Sequence, residues 1–137
     1  MDFERLLLTG SEHWKAFLHE SQCYLGRFYV WANDDSSKDL LEITDDEVDD
    51  FLGISRKVKD ALCGLFHPDK FNYASLGNVA DHLHVHVIPR YMKPRVFDGR
   101  GFVDRRWGEN YAPYDKEFRI PEETLFKIRD VIRGKLK

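Results

Sequence analysis

Apolar residues recur along this chain either at alternate positions, which is typical of strands, or every three to four positions, which is typical of helices. Residues 23–32 (CYLGRFYVWA) are rich in aromatic and β-branched types, which predicts a strand. After a polar stretch, apolar residues recur at helical spacing. Thr44 and Glu47 form a capping-box sequence at the start of that run, so a long helix is predicted from there to about Phe66.

Two shorter amphipathic segments flank this region. Residues 11–20 (SEHWKAFLHE) place apolar side chains three and four positions apart, which predicts a short helix capped by Ser11. His13 and His19 have no partner in the sequence and are expected at the surface of this helix. Pro121 suits the first turn of a C-terminal amphipathic helix. The apolar positions of that helix are Leu125, Ile128, Ile132 and Leu136.

A pair of strands is predicted between the long helix and the C-terminal helix. Residues 70–76 form a candidate strand, and residues 77–78 (Gly-Asn) suit a turn. Residues 82–89 (HLHVHVIP) alternate histidine with apolar residues, and this strand is expected to stop at its proline. Residues 93–118 lack clean periodicity and are predicted to form an ordered loop with one short strand.

Strands joined by a short turn, with separate helices, predict an α+β fold: an antiparallel sheet with a long helix and a C-terminal helix. The 137 residues, 42% hydrophobic and 33% charged, fit a single domain over residues 1–137. A net charge of -3 argues against a nucleic-acid binder. No apolar run approaches the roughly 20 residues that span a bilayer, and the N-terminus does not resemble a signal peptide. Cys23 and Cys63 show no metal-type spacing, which favours buried thiols in a reducing, cytoplasmic compartment.

Three histidines at alternate positions are the strongest chemical signal in the chain. Side chains alternate between the faces of a strand, so His82, His84 and His86 share one face while the apolar residues between them share the other. A surface strand that happens to be rich in histidine is the plainest interpretation. Strict alternation over an apolar back face disfavours it.

Metal binding is a second interpretation of the histidine row. Neutral imidazole binds zinc at about 2.0–2.1 Å. At about 3.3 Å per residue, however, the α-carbons of His82 and His86 lie roughly 13 Å apart on a straight strand. A single ion held by all three side chains therefore needs a sharp bend and further ligands from elsewhere. The sequence implies neither Mg nor Zn.

Phosphate chemistry is the third interpretation, and the one we favour. Imidazole has an unperturbed pKa of about 6.5, so its lone pair is available near neutral pH for attack on phosphorus. Crowding disfavours charging every histidine of the row, so a neutral nucleophile and a charged phosphate contact can coexist.

The stretch HLHVHVI matches the His-φ-His-φ-His-φ-φ signature of the histidine triad (HIT) superfamily at every position, where φ is apolar. Asn72, then Gly77-Asn78, then the histidines and Pro89-Arg90 resemble the surrounding family pattern. YLGR at residues 24–27 and the Ile43–Glu47 helix start resemble HIT proteins close to diadenosine polyphosphate hydrolases. The resemblance covers residues 22–90.

The resemblance implies nucleotidyl transfer or hydrolysis at the α-phosphate of a nucleotide. In that mechanism His84 attacks phosphorus, the carbonyl of His82 fixes the tautomer of His84, and His86 binds phosphate oxygens. Asn72 and Asn78 occupy positions that contact substrate in the family. No metal or other cofactor is required, and a homodimer is implied. Arg90 either neutralises a substrate phosphate or forms a salt bridge.

One departure from the family concerns a fourth histidine, which many members carry after the early strand. Residues 31–35 (WANDD) hold none. Asp34 or Asp35 either orients the triad or belongs to a solvated loop. Dinucleoside polyphosphates are the first substrate prediction. A nucleoside phosphoramidase, a non-catalytic nucleotide-binding module and a metal-binding protein stay open as alternatives.

Overall fold

The computed structural model describes residues 3–137, which contain seven strands and two α-helices. In chain order these are β1 (Leu7–Gly10), β2 (Trp14–Leu18), β3 (Phe28–Ala32), α1 (Asp45–Phe66), β4 (Lys70–Ala74), β5 (His84–Arg90), β6 (Arg95–Phe97), β7 (Arg100–Phe102) and α2 (Glu122–Lys135). Five strands form an antiparallel sheet in the order β1-β2-β3-β5-β4, and β6 pairs with β7 in a separate hairpin. The predicted α+β fold with an antiparallel sheet and two helices is confirmed.

One face of the five-stranded sheet carries the core. Apolar residues at alternate positions of the central strands pack with the apolar faces of α1 and α2 in one cluster. Its fully buried members include Trp14, Phe28, Val30, Val58, Leu62, Ile128 and Ile132. The opposite face carries His84, His86, Tyr29 and Trp31, and we call it the histidine face. Because both helices occupy the core face, the histidine face is left for other contacts.

The long helix begins and ends where the sequence predicts. The Thr44 hydroxyl accepts the backbone N–H of Glu47, and the Glu47 carboxylate accepts the backbone N–H of Thr44. At the other end, His67 adopts left-handed backbone angles (φ 52°) and donates its N–H to the Cys63 carbonyl.

The described residues contain no helix long and apolar enough to cross a membrane. Cys23 is buried, Cys63 is half-buried, and both are free thiols.

The predicted helix over residues 11–20 is wrong, because the middle of this segment is strand β2. Trp14, Ala16 and Leu18 alternate along the strand and are fully buried on the core face. The Ser11 hydroxyl caps no helix and instead donates to the Asp50 carboxylate, 2.7 Å away. The spacing of Trp14, Phe17 and Leu18 also fits a helix, because β2 carries apolar residues on both of its faces.

The prediction that the histidine strand stops at Pro89 is also wrong. β5 continues to Arg90, and Pro89 pairs with Phe71 of β4. Pairing with β3 has already ended at Val87, so β5 has a neighbour on only one side at the proline. Proline lacks an N–H and is tolerated in a strand where that N–H needs no partner.

The turn before β3 depends on Gly26. This residue has φ of +90°, and a Cβ there would lie 2.8 Å from a methyl carbon of Leu62 on α1. We expect Gly26→Ala to lower the free energy of unfolding by about 2–3 kcal/mol, through backbone strain and the clash. Gly53 of α1 has open space around it, so Gly53→Ala is expected to raise that energy by about 0.5–1 kcal/mol. Urea unfolding of both variants tests the pair, and a neutral Gly26→Ala would contradict the packing argument.

Candidate active site

Strand register places the histidines beside a row of aromatic side chains. Across β3 and β5, Trp31 pairs with His84 and Tyr29 pairs with His86. Across β2 and β3, Phe17 pairs with Tyr29, and the two rings stack with centroids 5.5 Å apart. All five side chains lie on the histidine face, so this face combines imidazoles with a flat apolar surface.

Hydrogen bonds to backbone carbonyls orient two of the three histidines. The Nδ1–H of His84 donates to the carbonyl oxygen of His82 at 2.7 Å. This bond leaves the lone pair of His84 on Nε2, the ring nitrogen away from its own strand. The Nε2–H of His82 donates to the Ala32 carbonyl at 2.7 Å, and its ring stacks on Trp31 with centroids 4.1 Å apart. His82 is thereby tied to the end of β3.

His86 has a fourth imidazole as its neighbour. The ring centroid of His19, just after β2, lies 5.7 Å from that of His86, and His19 is half-buried. The expectation of a surface histidine without a partner is therefore wrong. Burial, followed by the positive charge of Arg27, lowers the pKa of His86 to about 4 and that of His19 to about 3. The Ser21 N–H donates to His19 Nδ1 at 2.9 Å. Both imidazoles are therefore neutral at pH 7.

Arg27 supplies the positive charge at this end of the site. It immediately precedes β3 and shares the side of Tyr29 and Trp31. Its carbonyl accepts the backbone N–H of His19 and the side-chain amide of Gln22, both at 3.0 Å. Gln22 is itself fully buried, so the turn between β2 and β3 is fixed from inside.

The three predicted substrate contacts outside the histidines are placed differently. Arg90 is 2% exposed and uses all five N–H donors within the protein: two on Asp104, one on Asn72 and two on the carbonyls of Arg106 and Glu109. No donor remains for a phosphate, so this geometry favours the salt-bridge alternative for Arg90.

Asn72 and Asn78 differ in their distance from the histidine row. Asn72 of β4 pairs with Ile88 of β5, which is two residues from His86. The side-chain oxygen of Asn72 accepts a hydrogen bond from Arg90. Asn78 lies exposed in the connection between β4 and β5, where no hydrogen bond of the described residues joins it to a histidine. Their contacts with substrate stay predictions.

The acids in the loop after β3 do not reach the histidines through hydrogen bonds. The Asp34 carboxylate accepts hydrogen bonds from the N–H and hydroxyl of Ser36, which lower the pKa of Asp34.

Within residues 3–137, no group of three His, Cys, Asp or Glu side chains is arranged to hold a metal ion. The expectation that no metal is required stays a prediction.

The family model for the HIT domain matches residues 5–93, about two thirds of the chain. The chain belongs to the histidine triad (HIT) family. The HIT match begins earlier than the resemblance over residues 22–90 and so includes β1 and β2. No curated protein sequence matches the chain significantly.

Solved HIT proteins share this fold at low sequence identity. A histidine triad protein from Bradyrhizobium japonicum superposes with a TM-score of 0.77 at 15% identity, over 98% of this chain and 93% of its own. One from Sinorhizobium meliloti gives 0.74 at 21%, over 97% and 92%. The Plasmodium falciparum diadenosine triphosphate hydrolase gives 0.64 at 16%, over 98% and 77%. At these identities the likeness shows the fold.

Sequence reasoning missed two residues that lie beside the histidine row, His19 and Arg27. The signal for His19 was available in the alternation of the segment: counting in steps of two from Phe17 places it on the same face. Assigning a helix to residues 11–20 concealed this alternation. Arg27 stands in the YLGR sequence, but nothing local indicates that its charge acts on His86.

The neutral histidines make folding sensitive to acid. The unfolded chain protonates His19 and His86 near pH 6.5, whereas the folded protein does so only near pH 3–4, so stability is lost as the pH falls through this window. We expect each to contribute up to about 1.4 kcal/mol per pH unit. His19→Asn should flatten the dependence of the unfolding free energy on pH between about 4 and 7.

The matched variant His13→Asn removes a histidine outside this cluster and should keep the slope of the native protein. Denaturant unfolding at several pH values measures both variants. Equal slopes for the native protein and His19→Asn would contradict the assignment of His19 as a buried neutral imidazole.

Proposed function

We propose that this HIT protein hydrolyses nucleotide phosphoanhydrides or phosphoramidates at the α-phosphate, through a nucleotidyl intermediate on His84. The observation that carries the proposal is the hydrogen bond from His84 Nδ1–H to the His82 carbonyl, 2.7 Å long. In the neutral ring it leaves the lone pair on Nε2, as a nucleophile toward phosphorus requires. The neighbouring imidazole ring of His86, 5.0 Å away between centroids, is positioned to contact the phosphoryl group.

The reaction then proceeds in two displacements. In the first, a bond forms between His84 Nε2 and phosphorus, while the bond from phosphorus to the leaving group breaks and its electron pair departs with that group. In the second, water attacks phosphorus, the N–P bond breaks, and its electron pair returns to Nε2. A nucleoside monophosphate leaves, the water proton passes to solvent, and the imidazole is again neutral.

A groove beside the histidines supports a nucleoside as the substrate. It lies on the histidine face, has a volume of about 330 Å³ and is lined by the rings of Phe3, Phe17, Tyr29 and Trp31 together with Lys15 and the β3–α1 loop. We call it the aromatic groove. This volume is within the range of small-ligand sites, and flat aromatic walls suit a nucleobase.

Removing the nucleophile gives the first test. We expect His84→Ala to lower the release of AMP from diadenosine tetraphosphate and adenosine phosphoramidate on the order of 10³-fold or more, because the first displacement loses its nucleophile. His13→Ala is the matched control and should keep full activity. Chelator should leave the native rate unchanged. Mass spectrometry of alkali-quenched reactions should find AMP attached to the peptide that contains His84.

Other outcomes separate the alternatives. Native protein that binds nucleotide but turns over neither substrate, like His84→Ala, would favour a non-catalytic nucleotide-binding module. Faster release from the phosphoramidate would favour a nucleoside phosphoramidase. Activity abolished by chelator and restored by zinc would favour a metal-dependent protein. The cytoplasmic location stays a prediction.

We also propose that the protein forms a homodimer through β4 and α1. β4 is an edge strand of the five-stranded sheet, with unpaired backbone groups on its outer side. Beside it, Tyr73 of β4 and the apolar side of α1 near Phe51 and Leu52 line an apolar groove. Tyr73 is 56% exposed. A second copy of the chain would cover both the edge and the groove in one isologous contact.

Charges placed on this surface should separate the protomers. We expect the double variant Leu52→Asp, Tyr73→Asp to run as a monomer in size-exclusion chromatography with light scattering, because two desolvated carboxylates would face their own copies. Val96 of β6 is also highly exposed but lies outside the surface, so Val96→Asp should keep the native mass. A monomeric native protein would sink the dimer proposal.

A further inference from the structure

Arg27 is a buried cation whose charge the protein does not neutralise. The residue is 2% exposed. Its Nε and Nη1 are both buried without a hydrogen-bond partner. Among residues 3–137, no ion pair joins Arg27 to a carboxylate. An unpaired charge in such a position is costly to keep.

Arg90 shows how the same protein satisfies an arginine that has a structural role. Both side chains are 2% exposed, yet Arg90 has five donors engaged and a carboxylate on two of them. Arg27 has only ring faces: its guanidinium carbon lies 4.4 Å from the centroid of Tyr114 and 5.8 Å from that of Tyr111. These cation–π contacts offset part of the desolvation but bond neither nitrogen. The contrast indicates a binding role for Arg27.

The position of Arg27 on the histidine face indicates which part of a substrate it meets. The aromatic groove lies beside Trp31 and Tyr29, next to His84 and His86, and Arg27 lies one step beyond Tyr29. Next to this end of the face is a cleft whose lining includes two cations and one carboxylate, with residues His19, Glu20, Tyr114, Lys116 and Arg119. A nucleotide with its base in the aromatic groove and its α-phosphate at His84 would extend its leaving group toward Arg27.

The histidines around Arg27 do not share its charge. His19 and His86 are neutral at pH 7, since burial and Arg27 itself lower their pKa values. Arg27 is therefore the fixed positive charge of this end of the site. Its backbone is held by Gln22, so it needs little rearrangement to meet an anion.

We propose that Arg27 binds the phosphate of the leaving group and so makes the site selective for phosphoanhydrides over phosphoramidates. The inference rests on the hydrolase function proposed above. When the P–O bond of a phosphoanhydride breaks, its electron pair stays on the leaving phosphate as negative charge beside the guanidinium. When the P–N bond of a phosphoramidate breaks, the nitrogen takes the electron pair and a proton and leaves as a neutral amine. Arg27 assists only the first.

Two substrates with the same nucleoside and different leaving groups test the proposal. Arg27→Met keeps the length and apolar bulk of the side chain without its charge. We expect kcat/KM for diadenosine tetraphosphate to fall about 10- to 100-fold, the loss typical of one charged hydrogen bond, and that for adenosine phosphoramidate to change less than about 3-fold. Arg100→Met, on the exposed β6–β7 hairpin, is the matched control and should leave both values unchanged. Arg27→Lys should retain part of the preference.

A binding measurement tests Arg27 independently of turnover. Inorganic tripolyphosphate should raise the melting temperature of the native protein and of Arg100→Met, but not that of Arg27→Met. Unliganded Arg27→Met should melt at or above the native temperature, because the buried unpaired charge is gone. If Arg27→Met does not fold, Arg27→Lys carries the comparison: a partly retained preference with a partly retained tripolyphosphate shift supports a charge role, and complete loss of both overturns it.

Three results would overturn the proposal: equal losses on both substrates, no loss on the tetraphosphate, or an undiminished tripolyphosphate shift in Arg27→Met. A native protein that turns over neither substrate would instead remove the hydrolase function. In that case the tripolyphosphate shift alone decides whether Arg27 is an anion-binding residue.

Discussion

Neighbouring side chains on a strand point to opposite faces of the sheet, and this alternation along β5 fixes the core and the histidine row together. Val85 and Val87 are buried against the helix side, so His84 and His86 must face the other way. A shift of register by one residue would put imidazoles into the core and valines beside the aromatic row. The apolar packing of α1 and α2 on the sheet therefore also fixes which face His84 and His86 occupy. Because both helices pack on one face, the opposite face is available for a ligand.

The ion pair between Arg90 and Asp104 extends this order to the end of the sheet. Its Nε–Oδ2 distance is 2.7 Å, both side chains are almost completely buried, and Asp104 also accepts the N–H of Tyr91. The pair anchors the segment that follows β7 to the last residue of β5. From that anchor the chain carries Tyr111 and Tyr114 to the guanidinium of Arg27. A buried pair of this kind contributes little net stability relative to apolar residues, but its directional bonds specify one arrangement. Here that arrangement encloses Arg27.

Local sequence patterns correctly predicted the parts of the structure that depend on interactions between residues close in sequence. Spacing alone predicts the capping box at Thr44, the long helix, the C-terminal helix and the histidine row, and both of these helices lie where expected. The errors arose where contacts with residues distant in sequence determine the secondary structure or the surroundings of a side chain. Residues 14–18 form a strand because β1 and β3 pair on either side and α1 covers one face, although their apolar spacing also fits a helix. His19 and Arg27 become part of the site through that pairing and through tyrosines about 85 residues away, which no local window contains.

The site combines features that each cost folding free energy in the absence of a ligand. His19 and His86 are held neutral by burial, and Arg27 is held charged without a partner. Two uncharged imidazoles beside a cation are less unfavourable than charged ones, and the charge of Arg27 helps to lower the pKa values of both histidines. On the proposal that Arg27 binds a leaving-group phosphate, an anion beside it would gain a fixed donor without the cost of organising it. Ligand binding would then regain part of the folding free energy that the unpaired charge costs. The packing of α1 and α2 on the core face keeps the unliganded protein folded.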